Sequence, residues 1–288
     1  MIGVQWTRNN QEIVVKLPTD TSLPFFAYGL FKPGQLCYSR IREFVQEAHR
    51  VAVNGILKER DGLPLLIKSS NREVRGFLIY FRSGTAIDAY TRINGVEPKE
   101  VYKWGEIQTN EENVANTLYG RRDTRGSADL EDVSEWDGRD DPYFKQALEE
   151  VEEILRNNQN FALDFKALFR LQMAYSLLWS AIERFTGLKY HLGGKASEKV
   201  YQIVNEKCFP DSLKRVVTEE REIFSTVNLG KCTLDPSDPD RSIRYYYQVR
   251  SNSIHRGKAV SRDFNTIKKS LSELLEIFKD VVNHAFKK

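Results

Sequence analysis

The chain has 288 residues, of which 41% are hydrophobic and 29% are charged, and its formal net charge is +3. This length and composition favour two globular domains, and so small a charge permits contact with a polyanion without indicating it. No segment approaches the roughly 20 apolar residues that a membrane span needs, and residues 1–6 lack the basic stretch and apolar run typical of a signal peptide. The three cysteines are too widely spaced for a disulfide framework or a zinc site. We therefore expect a cytoplasmic protein without membrane contacts, bound metal or cofactor.

The first 119 residues contain short apolar runs bounded by turn residues, a pattern typical of β-strands. Helical spacing of apolar residues predicts one helix over residues 39–49 and a shorter one over 86–93. The domain predicted for residues 1–119 is a small mixed barrel or strongly bent sheet. The runs predicted as strands are residues 13–15, 25–28, 63–67 and 74–81.

Residues 120–141 are polar, with mixed charges and no apolar periodicity, and are predicted to be an exposed linker from which Trp136 could dock onto a neighbouring surface. Helical patterns follow over residues 142–288. Asp141 is predicted to cap the first helix, and Gly187 to end a helix that is apolar on every side and therefore buried. The predicted helices begin near residues 142, 161, 197, 242 and 264. The expected fold is thus α+β, a β-rich domain followed by an all-helical one.

The segment around Arg250 and His255 concentrates positive charge near a titratable group. Gly257 is predicted to end the helix, which places His255 in its last turn. Arg256 and Lys258 add fixed charge. An arginine can hold a phosphate through two hydrogen bonds and a histidine can exchange a proton with a 2′-hydroxyl, so the cluster suits metal-free phosphodiester cleavage.

The string Arg250-Ser251-Asn252-Ser253-Ile254-His255-Arg256-Gly257 resembles the motif of the HEPN superfamily, especially its Apea-type branch, and the resemblance covers residues 142–288. It implies a helical bundle that dimerises and cleaves RNA, with Arg250 and His255 as the catalytic pair. Asn252 and Glu183 would support them, Glu183 by orienting Arg250. The simpler alternative is that Arg250 is a structural partner of Glu183 and His255 an ordinary helix-end residue.

The string Phe25-Phe26-Ala27-Tyr28-Gly29-Leu30-Phe31-Lys32-Pro33-Gly34 predicts a strand that runs into a tight loop. It resembles the opening motif of the γ-glutamylcyclotransferase-like (AIG2-like) fold, as do later stretches up to about residue 110. The resemblance implies a small mixed barrel whose loop backbone holds a γ-glutamyl group, while a glutamate accepts a proton from its α-amine. The implied ligand-binding residues are Tyr28, Gly29, Leu30, Phe31, Gly34 and Glu97.

Two departures separate this chain from that motif. Leu30 stands where the family has a hydroxyl residue, and the glutamate expected near Asn94 is absent, so that Glu97 would have to replace it. The alternative is that the loop is only a well-made turn and that Glu97 is a solvated turn residue. A shared fold does not establish shared chemistry, so the sequence favours a sensing or interaction role for this domain.

Three functions follow as expectations. The first is a HEPN-type endoribonuclease, a toxin or antiviral effector that forms a homodimer through its helical domain, with an antitoxin or defence protein as partner. Its N-terminal domain would then regulate it by binding a small γ-glutamyl-like ligand. The second is a γ-glutamylcyclotransferase that releases 5-oxoproline, and the third is a non-enzymatic RNA- or protein-binding module.

Overall fold

The computed structural model divides the chain into two compact units, Met1–Asp140 and Asp141–Lys287. Both units together are mixed α+β. No helix among the described residues is long and apolar enough to cross a membrane. The described residues are 7–8, 11–12, 17–97, 101–121, 128–130, 133–158, 165–191, 196–224, 230–256 and 261–287.

The first unit is built on a sheet that curls into a half-barrel, in the strand order β10-β5-β6-β9-β3-β7-β4, with β8 paired to β9. A separate antiparallel pair joins β1 to β2. One α-helix, α1, spans Ala86–Val96. The strands are β1 (Thr7–Arg8), β2 (Gln11–Glu12), β3 (Phe25–Ala27), β4 (Val45–Asn54), β5 (Ile56–Arg60), β6 (Leu63–Ile67), β7 (Glu73–Phe81), β8 (Tyr102–Gln108), β9 (Val114–Gly120) and β10 (Ala128–Asp129).

The short strand β3 lies at the centre of this sheet. It pairs antiparallel with β7 and parallel with β9, and all three of its side chains are buried. A fully apolar strand is typical of a position covered on both faces. The predicted strands over residues 63–67 and 74–81 and the helix over 86–93 are confirmed, whereas the strand predicted over 13–15 lies outside the described residues.

The helix predicted over residues 39–49 is wrong. Two single 3-10 turns, Tyr38–Arg40 and Arg42–Phe44, lead into β4, which pairs with β7 along its whole length. The apolar spacing in so short a stretch fits a helix and a strand equally well, and pairing with a long neighbouring strand decides between them.

Parts of the segment predicted as an exposed linker pack against the first unit. Strand β10 pairs antiparallel with β5, and a 3-10 turn spans Gly138–Asp140. Trp136 is only 4% exposed. Polar composition suggested a linker, but these residues find partners in backbone and side-chain hydrogen bonds that composition does not reveal.

The second unit contains long helices and a β-hairpin. The hairpin strands, β11 (Arg221–Phe224) and β12 (Lys231–Leu234), pair antiparallel, so the prediction of an entirely helical region is wrong. A 3-10 helix spans Tyr201–Asn205. The α-helices are α2 (Gln146–Asn157), α3 (Phe165–Tyr190), α4 (Ala196–Val200), α5 (Phe209–Val216), α6 (Pro239–Arg256) and α7 (Ser261–Ala285).

Two predicted helix boundaries differ from the structure. Helix α2 begins four residues after Pro142, and Asp141 serves a different purpose: its carboxylate accepts hydrogen bonds from the Tyr143 amide at 3.0 Å and from the Arg184 Nη2 at 2.8 Å. Helix α3 continues through Gly187 to Tyr190. Its first turns also expose three large apolar side chains, contrary to the prediction of all-round burial; these are Phe165, Phe169 and Met173.

Candidate functional site

A pocket in the first unit collects most of the residues predicted to bind a ligand in that domain. It lies where β3 ends, between the start of β6, the end of α1, the start of β8 and the middle of β9. Of the six predicted residues, Gly34 alone is absent from its wall; its φ of +80° serves the turn instead. The lining residues are Phe25, Ala27, Tyr28, Gly29, Leu30, Phe31, Leu63, Pro64, Glu97, Tyr102 and Leu118.

Glu97 supplies the only carboxyl group of this wall. It caps the C-terminus of α1, where its amide donates to the Ile93 carbonyl at 3.2 Å, and this contact fixes the backbone that carries the carboxyl group. Burial raises the pKa of the Glu97 carboxyl to about 8. A carboxyl group with such a pKa exchanges protons near neutral pH, as a general acid or base must.

Tyr28 and Tyr102 fix two sides of the pocket through their hydroxyl groups. The Tyr28 hydroxyl donates to the Leu118 carbonyl at 2.6 Å, and the Tyr102 hydroxyl donates to the Pro64 carbonyl at 2.9 Å. Burial raises the pKa of the Tyr28 phenol well above its ordinary value, and negative charge on Glu97 raises it further. The Tyr28 phenol therefore stays protonated, and both hydroxyl groups hold neighbouring backbone in place.

The loop after β3 forms one side of the pocket with Tyr28, Gly29, Leu30 and Phe31. It closes through hydrogen bonds from the Lys32 amide to the Gly29 carbonyl at 3.1 Å and from the Cys37 amide to the Leu30 carbonyl at 3.0 Å. Within the described part of the chain, the amides of Leu30 and Phe31 donate to no acceptor. Amides held in a tight turn and left without an acceptor are suited to a ligand oxygen.

Close packing explains the glycine in this loop. A Cβ atom on Gly29 would lie 3.1 Å from Pro64 Cγ, so a larger residue would press on the opposite wall. The pocket, including its opening to solvent, has an empty volume of about 350 Å³. The centre of a water molecule can occupy only about 20 Å³ of that volume, so the pocket is narrow. The pocket therefore suits one end of a small molecule. Pro64 and Tyr102 also line the pocket, although the sequence did not predict them as ligand-binding residues.

The predicted site of the second unit begins with a contact between α6 and α3. Arg250 Nη2 lies 3.3 Å from Glu183 Oε1, and the two side chains are 26% and 33% exposed. The guanidinium also lies 5.5 Å from the centre of the Tyr247 ring. Arg250 Nε is buried and has no hydrogen-bond acceptor among the described residues. The pair fits an oriented catalytic arginine and a structural ion pair equally well.

Asn252 is used by the fold. Its Nδ2 donates to the Phe224 carbonyl at 2.9 Å, and its Oδ1 accepts from Gln248 Nε2 at 2.8 Å. These bonds fasten hairpin strand β11 to helix α6. Of the other predicted residues, His255 and Arg256 have their backbone in α6 and side chains beyond what the structure describes, and Lys258 lies outside the described residues.

Metal binding has no support in the described part of the chain, where no three His, Cys, Asp or Glu side chains cluster in a way that could hold an ion. The carboxyl of Glu97 stands among apolar and aromatic neighbours. Its chemistry is therefore that of a proton acceptor or hydrogen-bond partner.

Comparison with known proteins identifies no family: no family model and no curated protein matches the chain. A solved Kluyveromyces lactis allophanate hydrolase is 10% identical with a TM-score of 0.33, covering 45% of this chain and 24% of its own. The K. lactis urea amidolyase is 9% identical with a TM-score of 0.35, covering 74% of this chain and 17% of its own. The chain thus spans less than a quarter of either protein, and likenesses this weak carry no argument.

Proposed function

We propose that the first unit binds the γ-glutamyl end of a small amide and converts it to 5-oxoproline, with Glu97 as the base. The observation that carries the proposal is that Glu97 and the loop from Tyr28 to Phe31 line one pocket. From the sequence, Glu97 was predicted only as a replacement for the glutamate that the family has near position 94. In the structure, Glu97 and the loop line the same pocket.

The reaction needs a base, a held carbonyl and little else. Glu97 takes a proton from the α-ammonium, the free amine attacks the γ-carbonyl to close the ring, and the proton passes to the departing amine. The amides of Leu30 and Phe31 stabilise the oxyanion that forms on the carbonyl oxygen. Ring closure within one bound molecule needs mainly positioning, which a narrow pocket provides.

The test is release of 5-oxoproline from γ-glutamyl-alanine. We expect turnover by the wild-type chain to rise with pH up to about 8, the pKa of Glu97, since the base must be deprotonated. Glu97→Gln should reduce turnover by about 100-fold or more, the usual range for a general base. Glu111→Gln, an exposed control in the same unit, should leave it unchanged.

Two other results would redirect the proposal. Binding of the dipeptide without any turnover would make the pocket a sensor, the role that the sequence favours. Neither binding nor turnover by a folded chain would contradict the proposal as a whole.

A second candidate is a metal-independent endoribonuclease in the second unit, folded as a HEPN-type bundle, dimeric and acting in defence or as a toxin. Its basis in the structure is that Arg250, which contacts Glu183, lies on the same helix as the backbone of His255. Arg250 would bind the phosphate while His255 moves the proton. The pocket of the first unit would then regulate cleavage.

Cleavage of a mixed RNA pool in EDTA tests this candidate. Wild type should cleave and leave cyclic phosphate ends, whereas Arg250→Ala and His255→Ala should not. Arg241→Ala serves as the matched control because Arg241 is an exposed arginine of the same helix. RNA binding that survives the loss of both motif residues would indicate a non-enzymatic binding module.

A further inference from the structure

We infer that the segment 134–140, here called the clasp, positions the pocket loop, residues 30–37, through Lys32 and Gln35. Each of the two segments then keeps its conformation only while the other is in place. The inference deepens the proposed function, on which its relevance to ligand binding rests. Neither Lys32 nor Gln35 lines the pocket, so both are positioning residues.

Lys32 is the main contact. It lies inside the pocket loop, yet it is only 2% exposed and its ammonium contacts the clasp. Lys32 Nζ lies 3.2 Å from Glu135 Oε1 and also donates to the Trp136 carbonyl. Burial lowers the pKa of Lys32, while Glu135 opposes that shift. A buried ammonium is costly without partners, so the loop keeps this conformation only while the clasp supplies them.

Gln35 makes a second, neutral contact. Its Oε1 accepts a hydrogen bond from the Gly138 amide at 3.0 Å, and its Nε2 lies 3.4 Å from Asp137 Oδ1. The backbone amide of Gln35 in turn donates to the Lys32 carbonyl at 3.0 Å. The loop therefore offers the clasp two side chains that are themselves joined through one backbone turn.

The clasp is also attached to the sheet independently of the loop. The Arg75 amide donates to the Ser134 carbonyl at 2.7 Å, and Arg50 Nη1 lies 3.0 Å from Glu135 Oε2. These contacts give the clasp a fixed base on β7 and β4, from which it can hold the loop. Because coupling between two sites is reciprocal, a ligand that orders the loop must also stabilise the clasp.

Amide hydrogen exchange of the full chain tests the coupling without a ligand. Lys32→Met keeps the apolar stem and removes the charge. A hydrogen bond to a charged group contributes about 1.5–3 kcal/mol, so exchange should rise by about tenfold or more both in the loop, residues 30–37, and in the clasp. Lys103→Met, the same change at an exposed lysine of β8, is the matched control; it should leave exchange in both segments unchanged.

Each outcome is decisive. Faster exchange in the loop alone, or in neither segment, would overturn the inference, and so would an equal effect of Lys103→Met on both segments. Faster exchange throughout the first unit would mean that Lys32 acts as a general stability residue; Gln35→Leu, which removes only the neutral contact, should then still loosen both segments. Added γ-glutamyl-alanine tests the proposed function separately: a dipeptide that fails to bind contradicts that function and leaves the exchange result standing.

Discussion

The phenol of Tyr28 and the carboxyl of Glu97 face the same pocket, close enough that charge on Glu97 raises the pKa of Tyr28. Their positions in the chain are 69 residues apart, and they reach the pocket from the end of a strand and the end of a helix. The tyrosine is committed to the Leu118 carbonyl. Glu97 is therefore the group left to exchange protons with a ligand.

The raised pKa of Glu97 predicts that the free energy of unfolding decreases as pH rises. The carboxyl loses its proton near 4.5 when unfolded but only near 8 when folded. Between these values the folded state binds more protons, so the contribution of Glu97 to the free energy of unfolding falls as pH rises. Glu97→Gln should therefore stabilise the chain relative to wild type at about pH 9 more than at about pH 5, as measured by urea unfolding. An equal difference at both pH values would contradict the burial of this carboxyl.

Gly76 of strand β7 should not tolerate a side chain. A Cβ atom there would lie 2.5 Å from the Ala27 carbonyl oxygen and 2.7 Å from the Phe26 ring. We expect Gly76→Ala to lower the free energy of unfolding by about 2–3 kcal/mol, the cost of overpacking. Gly95→Ala is the control: nothing lies within 4 Å of its Cβ position in α1, and alanine should stabilise that helix by about 0.5–1 kcal/mol. Destabilisation by both changes would contradict this packing argument.

The ion pair between Arg221 and Glu273 should contribute far more to the free energy of unfolding than an exposed ion pair on the same hairpin. Glu273 is 7% exposed and also accepts a hydrogen bond from the Tyr246 hydroxyl at 3.1 Å. Arg221→Met leaves that carboxylate buried without its cation and should cost about 3 kcal/mol in thermal or urea unfolding. Lys231→Met, which breaks an exposed pair, should cost less than about 0.5 kcal/mol.

A double-mutant cycle measures the contact between Arg250 and Glu183. For partly exposed groups 3.3 Å apart, we expect a coupling free energy of about 1 kcal/mol. If Glu183 orients a catalytic arginine, Glu183→Ala should reduce RNA cleavage as well as stability. A coupling energy near zero would show that neither the structural nor the orienting role applies.

The sequence indicated five residues that line one pocket but not the residues that support the pocket; their role in ligand binding stays a prediction. The loop after β3 could be found because a strand, two glycines and a proline stand in a short recognisable run. Glu97 could be found because one acidic residue follows a predicted helix near the expected position. The clasp could not be found: Lys32 looks like a solvated lysine, and only the fold shows that its partner stands 103 residues later.

The second unit was predicted well where periodicity is long and poorly where it is short. Helix α7 repeats its apolar stripe over 25 residues, and its predicted span agrees with the structure. Hairpin strands β11 and β12 have four residues each and alternate weakly, so no local pattern identified them. Short elements depend on tertiary neighbours, here α6 through the bond from Asn252 to the Phe224 carbonyl.

The parallel pairing of β3 with β9 has a consequence for synthesis of the protein. Phe25 pairs with Asn116, and the Tyr28 hydroxyl reaches a carbonyl 90 residues further along the chain. At roughly 5–20 residues per second, a ribosome needs on the order of 5–20 s to add that stretch. Throughout this interval the apolar β3 has been made but its parallel neighbour has not. A nascent chain interrupted between Glu97 and β9 therefore carries the loop and Glu97 without the strand that completes the pocket.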